Sequence, residues 1–321
     1  MIRKKLCFMG MAMFMAALTL GACGKTDDKS ANAQGANGTQ GESGTKTEQN
    51  INAGTAQDSN QTQGADSWQD AEAEFFASIP ESPASDFDYD NVDGEVIIYR
   101  YLGESKEVSI PAQIDGMDVL AIDENCFVND EITAVVCPDT LQIIGTNAFT
   151  NCEELARIHL NEGLQTIADH AFLCCFSLEY VSIPSTVTII GESAFSSAGI
   201  KELELLCSDP QLGQGAFISI DAAELTIPAN LKTVGYMMFA NSKELETVII
   251  EDGVEKIEKQ AFDSCDKLTS VTIPASVTEI GEKAFKKSDF ADKSLELVLT
   301  VEAGSYAETY AKENNISYVN P

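Results

Sequence analysis

One phrase recurs along the chain from Val108 to Val301: an apolar residue before Pro, then Val-x-x-Ile-Gly, then Ala-Phe. Two copies state it in full, Ile183-Pro184 through Val187, Ile190-Gly191 and Ala194-Phe195, and Ile273-Pro274 through Val277, Ile280-Gly281 and Ala284-Phe285. The phenylalanines that close the copies are Phe127, Phe149, Phe172, Phe195, Phe217, Phe239, Phe262 and Phe285, 22 or 23 residues apart throughout. A constant spacing of this size leaves little choice of fold. Each unit is too short to bury an apolar face alone, so neighbours must stack into a solenoid with one elongated core.

Within a coil, Leu178, Val181 and Ile183 are expected to point inward, the last two spaced by two as in a strand. Pro184 has no amide hydrogen, so pairing should stop there. Val187 and Ile190 supply a second inward pair, Gly191 is read as permitting a turn, and Ala194-Phe195 as opening a tight helical turn that drops the ring into the core. The expected class is a repeat protein, mostly β with short helical turns, of about eight coils over residues 108–294.

These units resemble the BspA-type leucine-rich repeats of bacterial surface proteins, whose pattern combines Ile-Pro, Val-x-x-Ile-Gly, Ala-Phe, an Asn-Cys or similar pair, and Leu-x-x-Val. Asn151-Cys152, Ser264-Cys265, Leu155-x-x-Ile158 and Leu268-x-x-Val271 carry the rest of the match. The resemblance runs from about Tyr89 to the C-terminus and implies a leucine-rich-repeat solenoid that binds surface proteins of a host or neighbouring cell. Departures cluster in the fifth coil, where Leu206-Cys207-Ser208-Asp209-Pro210 replaces Ile-Pro, and appear as Asn161 and Glu251 in place of Pro. Local irregularity is expected near residues 206–213.

The flanks divide by composition. Residues 1–22 have a basic start (Arg3, Lys4, Lys5), an apolar run from Leu6 to Leu20, and the ending Leu20-Gly21-Ala22-Cys23, which together read as an export signal. That ending resembles the lipobox of bacterial lipoproteins, which implies lipid attachment at Cys23, a membrane contact through that anchor, and a solenoid displayed on the outer face of the bacterial cell membrane. Residues 23–66 are poor in large apolar side chains and read as a tether. Over residues 67–86, Ser67 to Ile79 reads as a short helix with Trp68, Phe75, Phe76 and Ile79 near one face, expected to pack over the open end of the coil. Asp93-Gly94 marks a capping hairpin in residues 87–107, and residues 295–321 read as a strand-helix cap with Tyr306 and Tyr310 on one side of its helix. No second apolar tail or cell-wall anchoring motif is recognised.

Charge narrows the partners. Residues 87–321 hold 14 basic against 40 acidic residues, which disfavours nucleic acid, since phosphate binding needs a basic footprint. Alternation along the strands places Arg157, His159, Tyr180, Ser182, Glu202, Glu204, Glu224, Thr226 and Thr247 on one outward face, the usual binding surface of a solenoid. Arg157, His159 and Tyr180 combine donors with an aromatic platform. An extracellular or host-surface protein is the expected partner; a glycan captured for an uptake system is the alternative. Nothing calls for a cofactor or a metal: Asp86, Asp88, Asp90 and Asp93-Gly94 lack the calcium-loop spacing, since Ile97 stands where a closing Glu is needed. Cys152, Cys175 and Cys265 each fall three residues after a marker phenylalanine and read as buried free thiols. Cys174-Cys175 beside His170 lacks an orienting third group, so the chain is read as non-catalytic.

Overall fold

The computed structural model describes residues 71–321; the leader (1–22), Cys23, the tether (23–66) and residues 67–70 lie outside the described residues. Residues 71–321 form the expected leucine-rich-repeat solenoid, built on two ladders of short parallel strands. The first ladder has ten strands among the described residues, in three segments. Glu107–Ser109, Ala134–Val136 and Arg157–His159 form one, Tyr180–Ile183 and Glu202–Leu205 the next. Glu224–Ile227, Thr247–Ile250, Ser270–Ile273, Val298–Val301 and Ser317–Val319 form the last. The second ladder begins at the antiparallel hairpin Phe87–Val92 and Glu95–Tyr101, continues through Met117–Ile122, and carries two residues from each later coil, such as Ile189–Ile190. The core lies between the ladders: Leu178, Val181, Ile183, Val187 and Ile190 are all buried. Tyr180–Ile183 ends where Pro184 begins, as a missing amide donor requires.

The marker phenylalanines stand in a single column. Consecutive ring centroids lie between 4.8 Å (Phe127 to Phe149) and 5.8 Å (Phe217 to Phe239), with planes inclined by 20° or less. Free aromatic pairs favour offset or edge-on contact, but a ladder spacing near 4.8 Å forces like residues to lie over one another. Where the ladder ends the constraint goes with it. Tyr310, on the C-terminal helix Tyr306–Glu313, meets Phe285 edge-on at 71°.

Each Ala-Phe segment is tight, yet it is not helical. Asn147 and Asn151, flanking Phe149, are left-handed (φ 55° and 60°), as are His170 and Cys174, and Ser193 and Ser197. The amides of Asn147, Phe149 and Asn151 donate to Asp169, Ala171 and Leu173 of the next coil (3.0, 2.8 and 2.8 Å), while those of Ala148, Thr150 and Cys152 close β-turns within their own coil. A helix would spend all these amides internally. Alternation of hand leaves every second one to join coil to coil, which corrects the helical reading.

Gly191 also has a different task from the one expected. A Cβ there would lie 2.4 Å from the Asp169 nitrogen, and Gly145, Gly213 and Gly281 press equally on the backbone of the preceding coil. The glycine permits close stacking of coils rather than an unusual turn.

The expected irregularity falls at residues 206–213. Asp209 is left-handed (φ 46°), and the Asn230 side-chain amide donates to the carbonyls of Leu205, Leu206 and Cys207. Both ladders are interrupted between this coil and the next, and the widest step of the aromatic column occurs at the same place. At an earlier departure, buried Asn161 replaces Pro and makes side-chain bonds to the Leu141 carbonyl and the Gly163 amide.

Candidate functional site: the outward face of the first ladder

Strand alternation turns every second residue of the first ladder away from the core. Register then sets neighbours: Arg157 lies beside Ala134, His159 beside Val136, Tyr180 beside Glu202, Ser182 beside Glu204, Glu224 beside Thr247, and Thr226 beside Ile249. The structure therefore brings all nine predicted residues to one face. Arg157, His159, Glu202, Glu224 and Thr226 are exposed, and Tyr180, Ser182, Glu204 and Thr247 are half-buried.

Two parts of this face differ in character. From Thr226 onward it is uncharged, with Thr226, Thr247, Ile249, Ser270 and Thr272 outward and Ile249 47 % exposed. Before it, Tyr180 Oη and Ser182 Oγ both donate to Glu204 Oε2, at 3.1 and 2.6 Å. Burial pushes the Tyr180 phenol up to about 12, and the neighbouring Glu204 carboxylate adds to that shift. Tyr180 therefore remains a protonated donor at neutral pH.

The helix of residues 71–78 lies on this face, not over the open end of the coil. Arg157 Nε donates to Glu72 Oε1 at 3.0 Å, the Arg157 guanidinium stands 4.3 Å above the Phe75 ring, and Phe76 packs 5.4 Å from the His159 ring. The edge of the ladder is covered instead by the next few residues: Ile79 is buried, Glu81 bridges to Ser109, and the Ser82 amide donates to the Ser109 carbonyl at 2.8 Å. An exposed strand edge is thereby paired. Phe75 and Phe76, expected on the apolar face, do pack inward, but against this face of the ladder rather than the end of the coil. One signal was present: residues 71–78 carry Glu72 and Glu74 with no base, and Arg157 and His159 are the basic residues among the outward positions.

The remaining candidates resolve simply. Cys175 is buried, its thiol donates to the Phe149 carbonyl at 3.2 Å, and burial raises its pKa well above the usual thiol value. Such a thiol is a poor nucleophile at neutral pH. Asp93 and Gly94 form the hairpin turn with positive φ, and Asp88 faces Arg100. Among the described residues no group of His, Cys, Asp or Glu is placed to hold a metal ion, and no helix is long and apolar enough to cross a membrane.

The sequence pattern described as BspA type Leucine rich repeat region matches the chain in six copies, over residues 120–246 and 210–317. Among solved structures, the chain is similar to a leucine-rich repeat protein of T. pallidum (27% identity, 67% of this chain and 94% of that one, TM-score 0.48). It is also similar to a leucine-rich cell surface protein of Faecalibacterium prausnitzii (25% identity, 65% and 74%, TM-score 0.43). A third, from Bacteroides capillosus, has 27% identity over 39% of this chain and 96% of that one, with TM-score 0.35. Among curated proteins, none matches the chain significantly.

Proposed function

The chain belongs to the BspA-type leucine-rich repeat family, and from that premise we propose that it is a non-catalytic, cell-surface recognition protein whose outward first-ladder face adheres to a protein partner. The observation that carries this reading is the open, uncharged part of that face, where Thr226, Thr247, Ile249, Ser270 and Thr272 project from successive coils in register. None of these side chains belongs to the buried core, and an exposed Ile beside hydroxyls on a repeated surface suits contact with another molecule. The strongly acidic remainder of the chain favours a partner that offers basic or neutral surface.

Export and anchoring at Cys23 rest on the residue pattern of the first 23 positions. On that reading the protein is held by acyl chains at the outer face of the bacterial cell membrane, and Cys23→Ala releases it from the membrane fraction. A glycan partner is the second reading, favoured by the hydroxyls of Thr226, Thr247, Ser270 and Thr272, which can both donate and accept.

The test is binding of the full chain to a panel of extracellular-matrix proteins and surface glycans, repeated with Thr226→Lys/Ile249→Lys. A loss of tenfold or more toward the bound panel member supports the face as the site. Unchanged binding rejects that placement, and a panel ligand that proves to be a sugar decides for the second reading.

A further inference from the structure

The helix of residues 71–78 has the marks of a placeholder rather than a strut. Most helical stability in proteins comes from packing an amphipathic face rather than from propensity, so the order of residues 71–78 depends on what they dock against. Over the described residues its docking is partial. Phe75 and Phe76 are only half-buried, and a cleft of about 530 Å³ stays open between Glu72 and Phe76 on one side and Arg157, Phe176 and Tyr180 on the other. The contacts it does make are complementary in charge and shape: Glu72 on Arg157, Phe75 beneath the same guanidinium, Phe76 against His159. Exposed ion pairs and exposed cation–π contacts are each weak, so the lock is soft. It holds because the helix is covalently tied to Ile79 and Ser82 at the ladder edge, which keeps its local concentration high. Beneath it the first ladder is also discontinuous, between Arg157–His159 and Tyr180–Ile183.

We propose that helix 71–78 is a displaceable plug on the recognition face, and that the partner it excludes presents an acidic, aromatic helix of the same kind. Such a helix places a carboxylate three and four residues ahead of two adjacent aromatic rings, the spacing of Glu72 to Phe75 and Phe76. The proposal rests on the reading that this face is the recognition surface. It adds which end of the face is gated and what chemistry opens it.

The probe is a fluorescently labelled peptide with the sequence of residues 67–79, added to three forms of the full chain: unaltered, Phe75→Ala/Phe76→Ala, and that double variant with Arg157→Glu. The opened variant should bind the peptide at least tenfold more tightly than the unaltered chain, and Arg157→Glu should remove the gain. Equal binding to the unaltered and opened chains, including no binding to either, overturns the proposal, as does a gain that survives Arg157→Glu. If the double alanine variant melts early, Glu72→Lys opens the plug by charge alone. Pairing it with Arg157→Glu should close the plug again, and failure of that pair to lower peptide binding is equally fatal. The readout uses this chain's own segment. It therefore fails or succeeds independently of the Thr226 and Ile249 variants that test the face against outside partners.

Discussion

The thiol of Cys152 donates to the carbonyl oxygen of Phe127, 2.9 Å away on the preceding coil. Cys175 repeats the contact to Phe149, and Cys265 to Phe239, both at 3.2 Å. A cysteine three residues after the marker thus links one coil to the previous one from inside the core. Its small size fits, and its weak donor satisfies a carbonyl that the ladder leaves with spare capacity.

Burial pushes the thiols of Cys137, Cys152 and Cys265 up to about 12 and that of Cys207 to about 11. All four are protonated in the folded protein at neutral pH, so iodoacetamide should leave them unlabelled until denaturant unfolds the coil. Peptide mapping by mass spectrometry checks this. Labelling of Cys152 in the native state at the rate of a free peptide thiol would contradict its burial.

Ser242 occupies the position three after Phe239, and its Oγ is buried without a hydrogen-bond partner among the described residues. An unsatisfied buried hydroxyl costs about 1–3 kcal/mol. Ser242→Cys, which restores the weaker and less hydrated donor found at Cys152 and Cys265, should raise the stability to urea by about 1 kcal/mol. A fall in the urea midpoint would show that the hydroxyl has a partner after all.

Phe195 is fully buried, with its ring centroid 4.8 Å from that of Phe172 and 5.1 Å from that of Phe217. Phe195→Ala should cost about 3–5 kcal/mol. Phe285, 5 % exposed and met edge-on by Tyr310, closes the column, and its replacement should fray the last coil alone. Hydrogen exchange distinguishes the two: Phe195→Ala weakens protection on both sides of the lesion, Phe285→Ala only beyond residue 262.

Gly191→Ala would bring a Cβ within 2.4 Å of the Asp169 nitrogen, whereas at Gly235 the nearest atom is Leu212 Cδ1 at 3.2 Å. Backbone of a stacked coil cannot yield as a side-chain methyl can. Gly191→Ala should therefore cost at least about 1–3 kcal/mol, and Gly235→Ala well under half as much. Thermal melts of the pair decide it, and equal losses would refute the distinction.

Burial works against the charged form of Asp266, yet hydrogen bonds from Lys243 Nζ (2.8 Å) and from the Ser288 amide and hydroxyl (2.9 Å each) outweigh it and hold its pKa below the usual aspartate value. A carboxylate lowered on folding stabilises the protein above its unfolded pKa and loses that contribution as pH falls through the folded value. Asp266→Asn should destabilise the C-terminal coils by about 1–2 kcal/mol at neutral pH. The gap between the two proteins should close as pH drops below about 4. Urea titrations at several pH values read it out, and a gap that widens on acidification would reverse the assignment.

What the residues disclosed in advance was everything that repeats. The inward positions, the aromatic column, the buried thiols at Cys152, Cys175 and Cys265, and the break near Leu206-Cys207-Ser208 all follow from comparing one coil with the next. The outward set from Arg157 to Thr247 was legible for the same reason, since strand alternation sorts residues by parity. The local hand of the backbone was not. Asn147 and Asn151 are common left-handed residues, but His170, Ser193 and Gln260 take the same conformation because the next coil demands their amides, and that demand is invisible in any single segment.

The spacing of Phe127 through Phe285 by itself determined a stacked solenoid, because a unit of 22 or 23 residues has no other way to bury its apolar side chains. Only the tertiary structure decided that residues 71–78 lie across Arg157 and His159, 85 positions from Glu72 to its partner. That contact belongs to no repeat. It depends on where the chain leaves the ladder edge and on the basic spot formed by Arg157 and His159, and both exist only once the coils are wound.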